Sequence, residues 1–331
     1  MTVRARYTRE ELEEYFDRVC VPSSKRIYNI STLSEDQKLD YLTLLTKHQL
    51  CKVPWDNLVQ HYSWHAVVHV TPRHLFKKIV RHPGRGGYCM EVNLFFHTVL
   101  LSLGFDVYLT GARIYAAPKK SYGGWTHVVN LVTINSTQHL VDTGFGGPGP
   151  CRPIPLSDGT EHPQVAPAEM RVVYQSLAQN LTAQKFWIYE SRFDDNAPWV
   201  PCYCFSELEF TPEDISSMNF APSTSRHTFF THKVVAVRFT TSQERNGSSG
   251  TGSPSESSLE AEIDGAITLN QNVLKWRRNG KKVVEWHFQS EEERVSALEM
   301  YFGVTFEAED REAIEGTAAA LGHGRALPER D

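Results

Sequence analysis

The hydrophobic pattern of this chain changes near Gly104 from a helical period to a strand period. Upstream of that point, capping boxes at Thr8 and Ser34 open two helices, and apolar residues recur at three-residue spacing from Leu39. Thr71-Pro72 predicts the start of a third helix. A fourth helix is predicted over residues 89–103, because Gly104 is a natural left-handed cap. The first third of the chain is therefore predicted to be helical.

Downstream of Gly104, segments rich in valine, isoleucine and leucine alternate with polar turns, which predicts strands. Helical patterns return at 211–218 and 291–301, so the sequence predicts an α+β chain. Residues 241–258 are dense in Ser, Gly and Thr and predict a flexible insertion. The strand candidates are 106–115, 127–134, 138–141, 171–174, 185–189, 234–240, 265–269 and 282–287.

Bulk properties argue against several classes of protein. The formal net charge of -5 over 331 residues argues against nonspecific binding to nucleic acid or to an acidic membrane. No apolar run approaches the roughly 20 residues that span a bilayer, and residues 1–6 do not begin a secretory signal. The 6 cysteines are too scattered for a disulfide scaffold. We therefore expect a reduced, cytoplasmic setting, in which a cysteine in a distinctive motif is catalytic.

The strongest candidate for chemistry is Cys89, in the run Arg-Gly-Gly-Tyr-Cys-Met-Glu-Val-Asn over residues 85–93. Gly86 and Gly87 allow the chain to turn sharply and a ligand to approach the backbone. Cys89 then begins an apolar helix, and the partial positive charge of the helix N-terminus favours a thiolate. A thiolate nucleophile also needs a base and a group that orients the base.

His127 and Asp142 have positions suited to those two roles. His127 begins one predicted strand and Asp142 ends the next. A hairpin with an even-length loop pairs residues whose numbers sum to an odd value, and 127 and 142 meet that condition. The two side chains should therefore lie on one face of the hairpin as diagonal or near-diagonal neighbours. The aspartate can then hold one imidazole nitrogen while the other faces the thiol, as in a Cys-His-Asp triad.

Each of these residues also has a structural interpretation when it is taken alone. A buried cysteine is usually a small apolar residue, a strand histidine is usually structural, and an aspartate before Thr143-Gly144 can begin a turn. The combination of the three favours catalysis. Cys202-Tyr203-Cys204 lacks the second pair of ligands that a structural zinc site needs, and the other histidines are scattered, so no metal is expected.

Three blocks of the sequence resemble the signature blocks of the arylamine N-acetyltransferases. They are residues 85–93, Thr126-His127 and residues 141–147 (Val-Asp-Thr-Gly-Phe-Gly-Gly), in the order and spacing of that family. His48 and residues 53–58 (Val-Pro-Trp-Asp-Asn-Leu) resemble the family's Val-Pro-Phe-Glu-Asn-Leu segment. Residues 219–230 resemble its later Ser/Thr-rich coenzyme segment. The similarity covers about residues 15–306, and the polar insertion resembles the fungal branch.

The resemblance implies a papain-like cysteine enzyme in three parts. Residues 1–105 would form a helical bundle that carries the nucleophile, and residues 106–210 a β-barrel-like domain that carries the histidine and the aspartate. Residues 211–306 would form an α/β lid with the insertion, and residues 307–331 a tail.

The resemblance also implies an activity with a ping-pong mechanism. An acyl-CoA acylates Cys89, coenzyme A leaves, and an aromatic amine or a hydrazine attacks the thioester, with His127 as base and Asp142 as its orienter. Further contacts implied by the family are an Arg85–Asp56 ion pair beneath the site, an arylamine pocket at Trp55 and Phe145, and coenzyme A contacts at Gly146, Gly147, Thr224, Ser225 and Thr228.

The sequence departs from the family pattern at two places. Trp55-Asp56 replaces the usual Phe-Glu, which enlarges the aromatic wall and shortens the carboxylate. Arg226 stands where a proline is common, and its positive charge suits a phosphate or an acidic acyl group. Because fungal relatives sometimes prefer malonyl donors, we hypothesise that malonyl-CoA is accepted as well as acetyl-CoA or propionyl-CoA.

Three other functions are compatible with parts of the sequence. A transglutaminase-like amidase or hydrolase has the same Cys-His-Asp order, and would release coenzyme A regardless of an added arylamine. A catalytically silent small-molecule binder would form no acyl adduct on Cys89. A structural or interaction protein has only the insertion and the tail in its favour.

Overall fold

The computed structural model describes residues 4–82, 84–245, 247 and 261–322, and every structural statement below refers to these residues. Four helices precede the strands of the central sheet, as the sequence predicts, and three follow them. No helix in the described part of the chain is long and apolar enough to cross a membrane. The helices are α1 (Arg9–Arg18), α2 (Glu35–Lys52), α3 (Pro72–Arg81), α4 (Cys89–Leu103), α5 (Pro212–Thr224), α6 (Glu291–Phe302) and α7 (Ala308–Glu312).

Local sequence signals explain where these helices begin and end. Thr8 Oγ1 accepts the Glu11 N–H at 3.2 Å while Glu11 Oε2 accepts the Thr8 N–H at 2.9 Å, which forms the predicted capping box. Ser34 and Gln37 repeat this arrangement at the start of α2. Gly104 ends α4 with a φ of 95°, in the left-handed region that glycine adopts readily.

The larger sheet has nine strands and begins directly after α4. Its order is β6-β5-β4-β2-β10-β9-β8-β7, with β3 paired to β2. Ile154 on β6 and Met170 on β8 belong to one buried cluster although their strands lie near opposite edges, so the sheet curls into the nearly closed barrel that the resemblance implies. The strands are β2 (Asp106–Ala116), β3 (Ser121–Tyr122), β4 (His127–Ile134), β5 (Thr137–Val141), β6 (Ile154–Pro155), β7 (Glu161–Pro163), β8 (Glu169–Ser176), β9 (Lys185–Arg192) and β10 (Val200–Phe205).

A second sheet of five strands connects the helical region to the later part of the chain. Its order is β1-β11-β12-β13-β14, and β1 (Trp55–Asp56) comes from the segment between α2 and α3. Trp55 pairs with Val237 and Asp56 with Ala236, so residues from the helical third are fixed to this sheet. The other strands are β11 (Val235–Thr241), β12 (Ile263–Asn270), β13 (Val273–Arg278) and β14 (Lys281–His287).

Several elements differ from the sequence expectations. The short strands β1, β3, β6 and β7 were not predicted, nor were β10 and β13. The Pro201 and Cys residues of β10, and the Lys and Arg residues of β13, hide the alternating pattern of a strand. Helix α5 extends to Thr224 and contains Pro222, beyond the predicted end at 218. The predicted insertion at 241–258 lies outside the described residues except for 241–245 and 247.

Candidate active site

Cys89 is the first residue of α4, at a helix end that buried side chains hold in place. Glu91 Oε2 accepts the Tyr88 N–H at 3.2 Å, and Glu91 Oε1 accepts Lys78 Nζ at 2.6 Å. Burial raises the pKa of Glu91, while the positive charge of Lys78 opposes that rise. The side chain of Cys89 is 4% exposed and contacts the Thr126 carbonyl, with Sγ at 3.7 Å from that oxygen.

The β4–β5 hairpin places His127 and Asp142 as the parity argument predicts. Ile134 pairs with Thr137 and Asn130 with Val141, so the loop has two residues and the numbers of each pair sum to an odd value. Asp142 is therefore a diagonal neighbour of His127 on the same face. His127 Nε2 lies 2.7 Å from Asp142 Oδ2, and both side chains are almost fully buried.

Electrostatics in this pair favour the charged forms of both residues. Burial by itself would lower the pKa of His127, but the negative charges of Asp142 and Cys89 outweigh it and raise the pKa to about 10. Burial likewise would raise the pKa of Asp142. Contacts with His127, with the Asn93 side chain and with the Gly144 N–H instead lower it. An imidazolium beside Cys89 would stabilise a thiolate there.

Asn93 fixes Asp142 from the nucleophile's own helix, one turn beyond Cys89. Its Nδ2 donates to Asp142 Oδ1 at 2.8 Å and to the Val128 carbonyl at 2.7 Å. Its Oδ1 accepts the Thr143 N–H at 2.8 Å and the Thr143 hydroxyl at 3.1 Å. Sequence reasoning included Asn93 in the motif but gave it no role. The four-residue spacing from Cys89, which puts both residues on one face of the helix, was the available signal.

Gly144 lets this turn lie directly against the nucleophile. A Cβ added at Gly144 would lie 2.8 Å from the Cys89 Cα and 2.9 Å from Asn93 Nδ2, distances that real Cβ atoms do not show. The Gly144 N–H also donates to Asp142 Oδ1 at 2.8 Å. The position therefore requires glycine for the close approach of two backbone segments.

Tyr203 supports the histidine from the barrel interior, and sequence reasoning missed it. Its ring centroid lies 5.0 Å from that of His127, 5.0 Å from that of Phe145 and 5.1 Å from that of Tyr189. Burial, followed by the charge of Asp142, raises the pKa of Tyr203 well above its usual value. The sequence analysis considers Cys202 and Cys204 only as metal ligands. Tyr203, which lies between them, is the residue that contacts His127. Among the described residues, no three His, Cys, Asp or Glu side chains form a group that could hold a metal.

The candidate triad opens onto a cavity of about 600 Å³ with largely aromatic and apolar walls. Trp55 and Phe145 line it, as predicted for an arylamine pocket, together with Phe229 and Phe230. Flat apolar walls suit an aromatic ring. The remaining lining residues are Cys89, Ile114, Thr126, His127, Gly144, Pro148, Ala221, Pro222, Ser225, His227 and Thr228.

The residues predicted to contact coenzyme A do not all lie on this cavity. Ser225 and Thr228 line it, and Gly146 lies against Trp55. Gly147 lines a neighbouring cavity of about 620 Å³, which shares Pro148 with the first. Thr224 lines neither of these two cavities, and its hydroxyl donates to the Phe220 carbonyl at 2.6 Å.

The predicted ion pair between Arg85 and Asp56 is not formed in the described structure. Arg85 Nη2 donates instead to Asp310 Oδ2 at 3.2 Å. The buried Asp56 carboxylate accepts two backbone amides, from Leu58 at 3.0 Å and from Gly86 at 3.1 Å. Asp56 therefore stabilises the backbone before Cys89 directly, and the side chain of Arg85 pairs with α7.

Comparison with known proteins identifies the family of this chain. A family model described as N-acetyltransferase matches residues 38–247. The N-malonyltransferase FDB2 of Gibberella moniliformis is 31% identical over 338 residues, covering 95% of this chain and 93% of that protein. The chain belongs to the arylamine N-acetyltransferase family.

Other members of the arylamine N-acetyltransferase family agree in sequence and in fold. Arylamine N-acetyltransferase 2 of Mus musculus is 28% identical, covering 90% of this chain and 95% of that protein. The Mycobacterium marinum arylamine N-acetyltransferase in complex with CoA has a TM-score of 0.70 at 21% identity, covering 92% of this chain and 99% of that one. The chain is thus an acyl-CoA-dependent N-acyltransferase with the α+β, papain-like fold of its family.

Proposed function

We propose that this enzyme moves an acyl group from acyl-CoA to the nitrogen of an aromatic amine or a hydrazine, through a thioester on Cys89. The observation that carries the proposal is the position of Cys89 and His127 on the wall of an aromatic cavity, with the buried Asp142 bonded to His127 behind it. A nucleophile, a base and a group that orients the base are the three parts that covalent acyl transfer requires.

In the first half-reaction, the Cys89 thiolate attacks the carbonyl carbon of the acyl-CoA thioester. The tetrahedral intermediate collapses, the bond to the coenzyme A sulfur breaks, and protonated His127 donates its proton to the leaving thiolate. Asp142, held by Asn93 and Gly144, keeps the imidazole oriented throughout.

In the second half-reaction, the acceptor amine attacks the carbonyl carbon of the Cys89 thioester. His127 takes the proton that the nitrogen loses, the carbon–sulfur bond breaks, and the thiolate is restored. The rings of Trp55 and Phe145 would hold the aromatic part of the acceptor beside that carbon. This placement favours the amine over water, which a hydrolase on the same scaffold would use.

Coenzyme A would reach Cys89 along the polar side of the cavity. Ser225 and Thr228 offer hydroxyl groups there, and Gly147 lines the adjoining cavity beside Pro148, whereas Gly146 is buried against Trp55. Thr224 is the weakest of the proposed contacts, because its hydroxyl is bonded within α5.

Malonyl-CoA is our proposed preferred donor. The N-malonyltransferase relative shares 31% identity with this chain, against 28% for the mouse arylamine N-acetyltransferase. His227, Ser225 and Thr228 add polar side chains to the cavity that could bind the free malonyl carboxylate. The test is kcat/KM for malonyl-CoA, acetyl-CoA and propionyl-CoA with one arylamine; faster turnover of acetyl-CoA at equal concentration would refute the preference.

The proposed transfer itself is tested by intact mass after brief exposure to each acyl-CoA. We expect an acyl adduct on the unaltered enzyme and none on Cys89→Ser. Adding an arylamine should remove the adduct and accelerate coenzyme A release. A rate of coenzyme A release that does not depend on the arylamine would indicate a hydrolase. The absence of an acyl adduct with every donor would indicate a silent binder.

A further inference from the structure

One face of the five-stranded sheet extends from the catalytic cavity to the second cavity, the one of about 620 Å³ that Gly147 lines. Trp55 stands opposite Val237 in the register, and Val237 stands opposite Thr268. Thr268 in turn stands opposite Lys275. Residues directly opposite each other share a face, and Trp55 lines the catalytic cavity while Thr268 and Lys275 line the second. With strands about 4.8 Å apart, Lys275 lies roughly 14 Å from Trp55 across this face.

The second cavity has cationic and apolar walls. Lys275, Arg277 and Arg192 line it, and no Asp or Glu of the described chain is among its lining residues. Arg192 is already paired with carboxylates of the barrel. The exposed side chain of Arg277 has no hydrogen-bond or ion-pair partner among the described residues. Phe193 and Val200 add exposed apolar surface, so the walls suit an anion that also carries a flat apolar group.

The β13–β14 hairpin beside this cavity carries more positive charge than it neutralises. Arg277 stands directly opposite Lys282, and like charges in that position destabilise a sheet. Glu285 pairs with Lys275, whose Nζ lies 3.3 Å from Oε1, and also with Lys282. Three cations are thus placed around one carboxylate. Such a local conflict is expected at a functional site, where a bound anion removes it.

The catalytic cavity cannot neutralise the phosphates of coenzyme A by itself. Its lining residues in the described chain include no Lys or Arg. The acyl thioester must lie at Cys89, so the phosphorylated adenine nucleotide at the other end of the molecule must lie outside this cavity. The two cavities share Pro148, and the separation of Trp55 from Lys275 is a span that an extended pantetheine arm covers.

We propose that the second cavity holds the nucleotide end of acyl-CoA, with Arg277 and Lys275 bound to its phosphates. The inference rests on the proposed transfer through Cys89. Charge-assisted hydrogen bonds are the strong contacts for phosphate, and a guanidinium can bind it through two parallel N–H groups. The adenine would lie against Phe193, since bases stack on aromatic rings. The pantetheine arm would pass Pro148 on its way to the thiol.

Arg277→Gln tests the proposal with donors that differ only in the nucleotide. With the faster of malonyl-CoA and acetyl-CoA, KM should rise about three- to tenfold, while acylation in a single turnover at saturating donor should not change. With the corresponding S-acylpantetheine, which has no nucleotide, the variant and the unaltered enzyme should have equal KM. The midpoint of urea unfolding should not fall, because Lys282 loses a like-charged neighbour.

Lys281→Gln is the matched control, because it removes a cation from the same hairpin at a position opposite Arg278. It should leave KM for both donors unchanged. Arg226→Gln tests the other available cation, which follows Ser225 on the wall of the catalytic cavity. A rise in KM for acyl-CoA in Arg226→Gln, with none in Arg277→Gln, would place the nucleotide on that side and overturn the proposal.

Two other results would also overturn it. One is an unchanged KM for acyl-CoA in Arg277→Gln, and the other is an equal rise with S-acylpantetheine. Calorimetry with adenosine 3′,5′-bisphosphate separates this inference from the proposed function. The absence of an acyl adduct on the unaltered enzyme would refute the transfer, whereas calorimetry would still show whether Arg277→Gln weakens binding of the nucleotide, as we expect.

Discussion

Replacing Asn93 with alanine removes every side-chain hydrogen bond that joins α4 to Asp142 and the turn after it. Asn93 donates to Asp142 and to the Val128 carbonyl, and accepts from the amide and hydroxyl of Thr143. A buried polar group left without its partner costs about 1–3 kcal/mol, and more when the group is charged. Asp142 keeps its hydrogen bonds with His127 and with the Gly144 amide, which limits the loss. We expect the free energy of unfolding to fall by roughly 3–5 kcal/mol in total.

The variant should remain folded at low temperature, where a loss of that size leaves part of a typical total of about 5–15 kcal/mol. Its acylation rate should nevertheless fall by about 10- to 100-fold, because a misplaced Asp142 no longer orients His127. Stability is measured by urea unfolding followed by circular dichroism. Acylation is measured as single-turnover coenzyme A release at a low temperature, about 15 °C, at which nearly all of the variant is folded.

Asn130→Ala is the matched control for Asn93→Ala. Asn130 is equally buried and bonds the Asn93 carbonyl and His97, but it has no described contact with Asp142. We expect it to lose stability while keeping most of the acylation rate. If folded Asn93→Ala acylates as fast as the unaltered enzyme, Asn93 does not hold the triad in its working geometry.

Two further predictions concern the same site. Gly144→Ala should lower the free energy of unfolding by about 1–3 kcal/mol through overpacking and should remove most of the acylation rate. Gly124→Ala is the control, because its added Cβ meets no atom within 4 Å. In the same two assays it should change neither the stability nor the acylation rate. The free energy of unfolding should also depend on pH. Because the pKa of His127 is raised from 6.5 to about 10 in the folded state, its contribution should be complete below pH 6.5 and lost as pH rises toward 10. Urea unfolding across that range should show the decline, and His127→Gln should lack it.

Much of the fold could be predicted from the sequence because its signals are local. Capping boxes, Gly104 and the apolar run of α4 each act within a few residues, and the structure has those helices at the predicted places. The relative position of His127 and Asp142 could also be predicted, because the face on which each strand residue lies is set within one hairpin. The short strand β1 could not be predicted, because it forms by pairing with β11, far along the chain.

Side chains that serve the site from other elements were harder to predict. Tyr203 reaches His127 only because the sheet curls and β10 pairs with β2, which no local pattern indicates. Asn93 shows the intermediate case, since its helical spacing from Cys89 was visible but its partners on β4 and after β5 were not.

Arg85 shows how a resemblance can give the right family and the wrong contact. The shorter Asp56 carboxylate accepts two backbone amides, and its pKa is raised by burial despite the charges of Lys78 and Arg85. A carboxylate used in this way stabilises the turn before Cys89 directly, without needing the arginine. The arginine is then available to a segment far along the chain, and Asp310 takes it. In the described structure, the ion pair between Arg85 and Asp310 therefore connects α7 to the loop that precedes the reactive thiol.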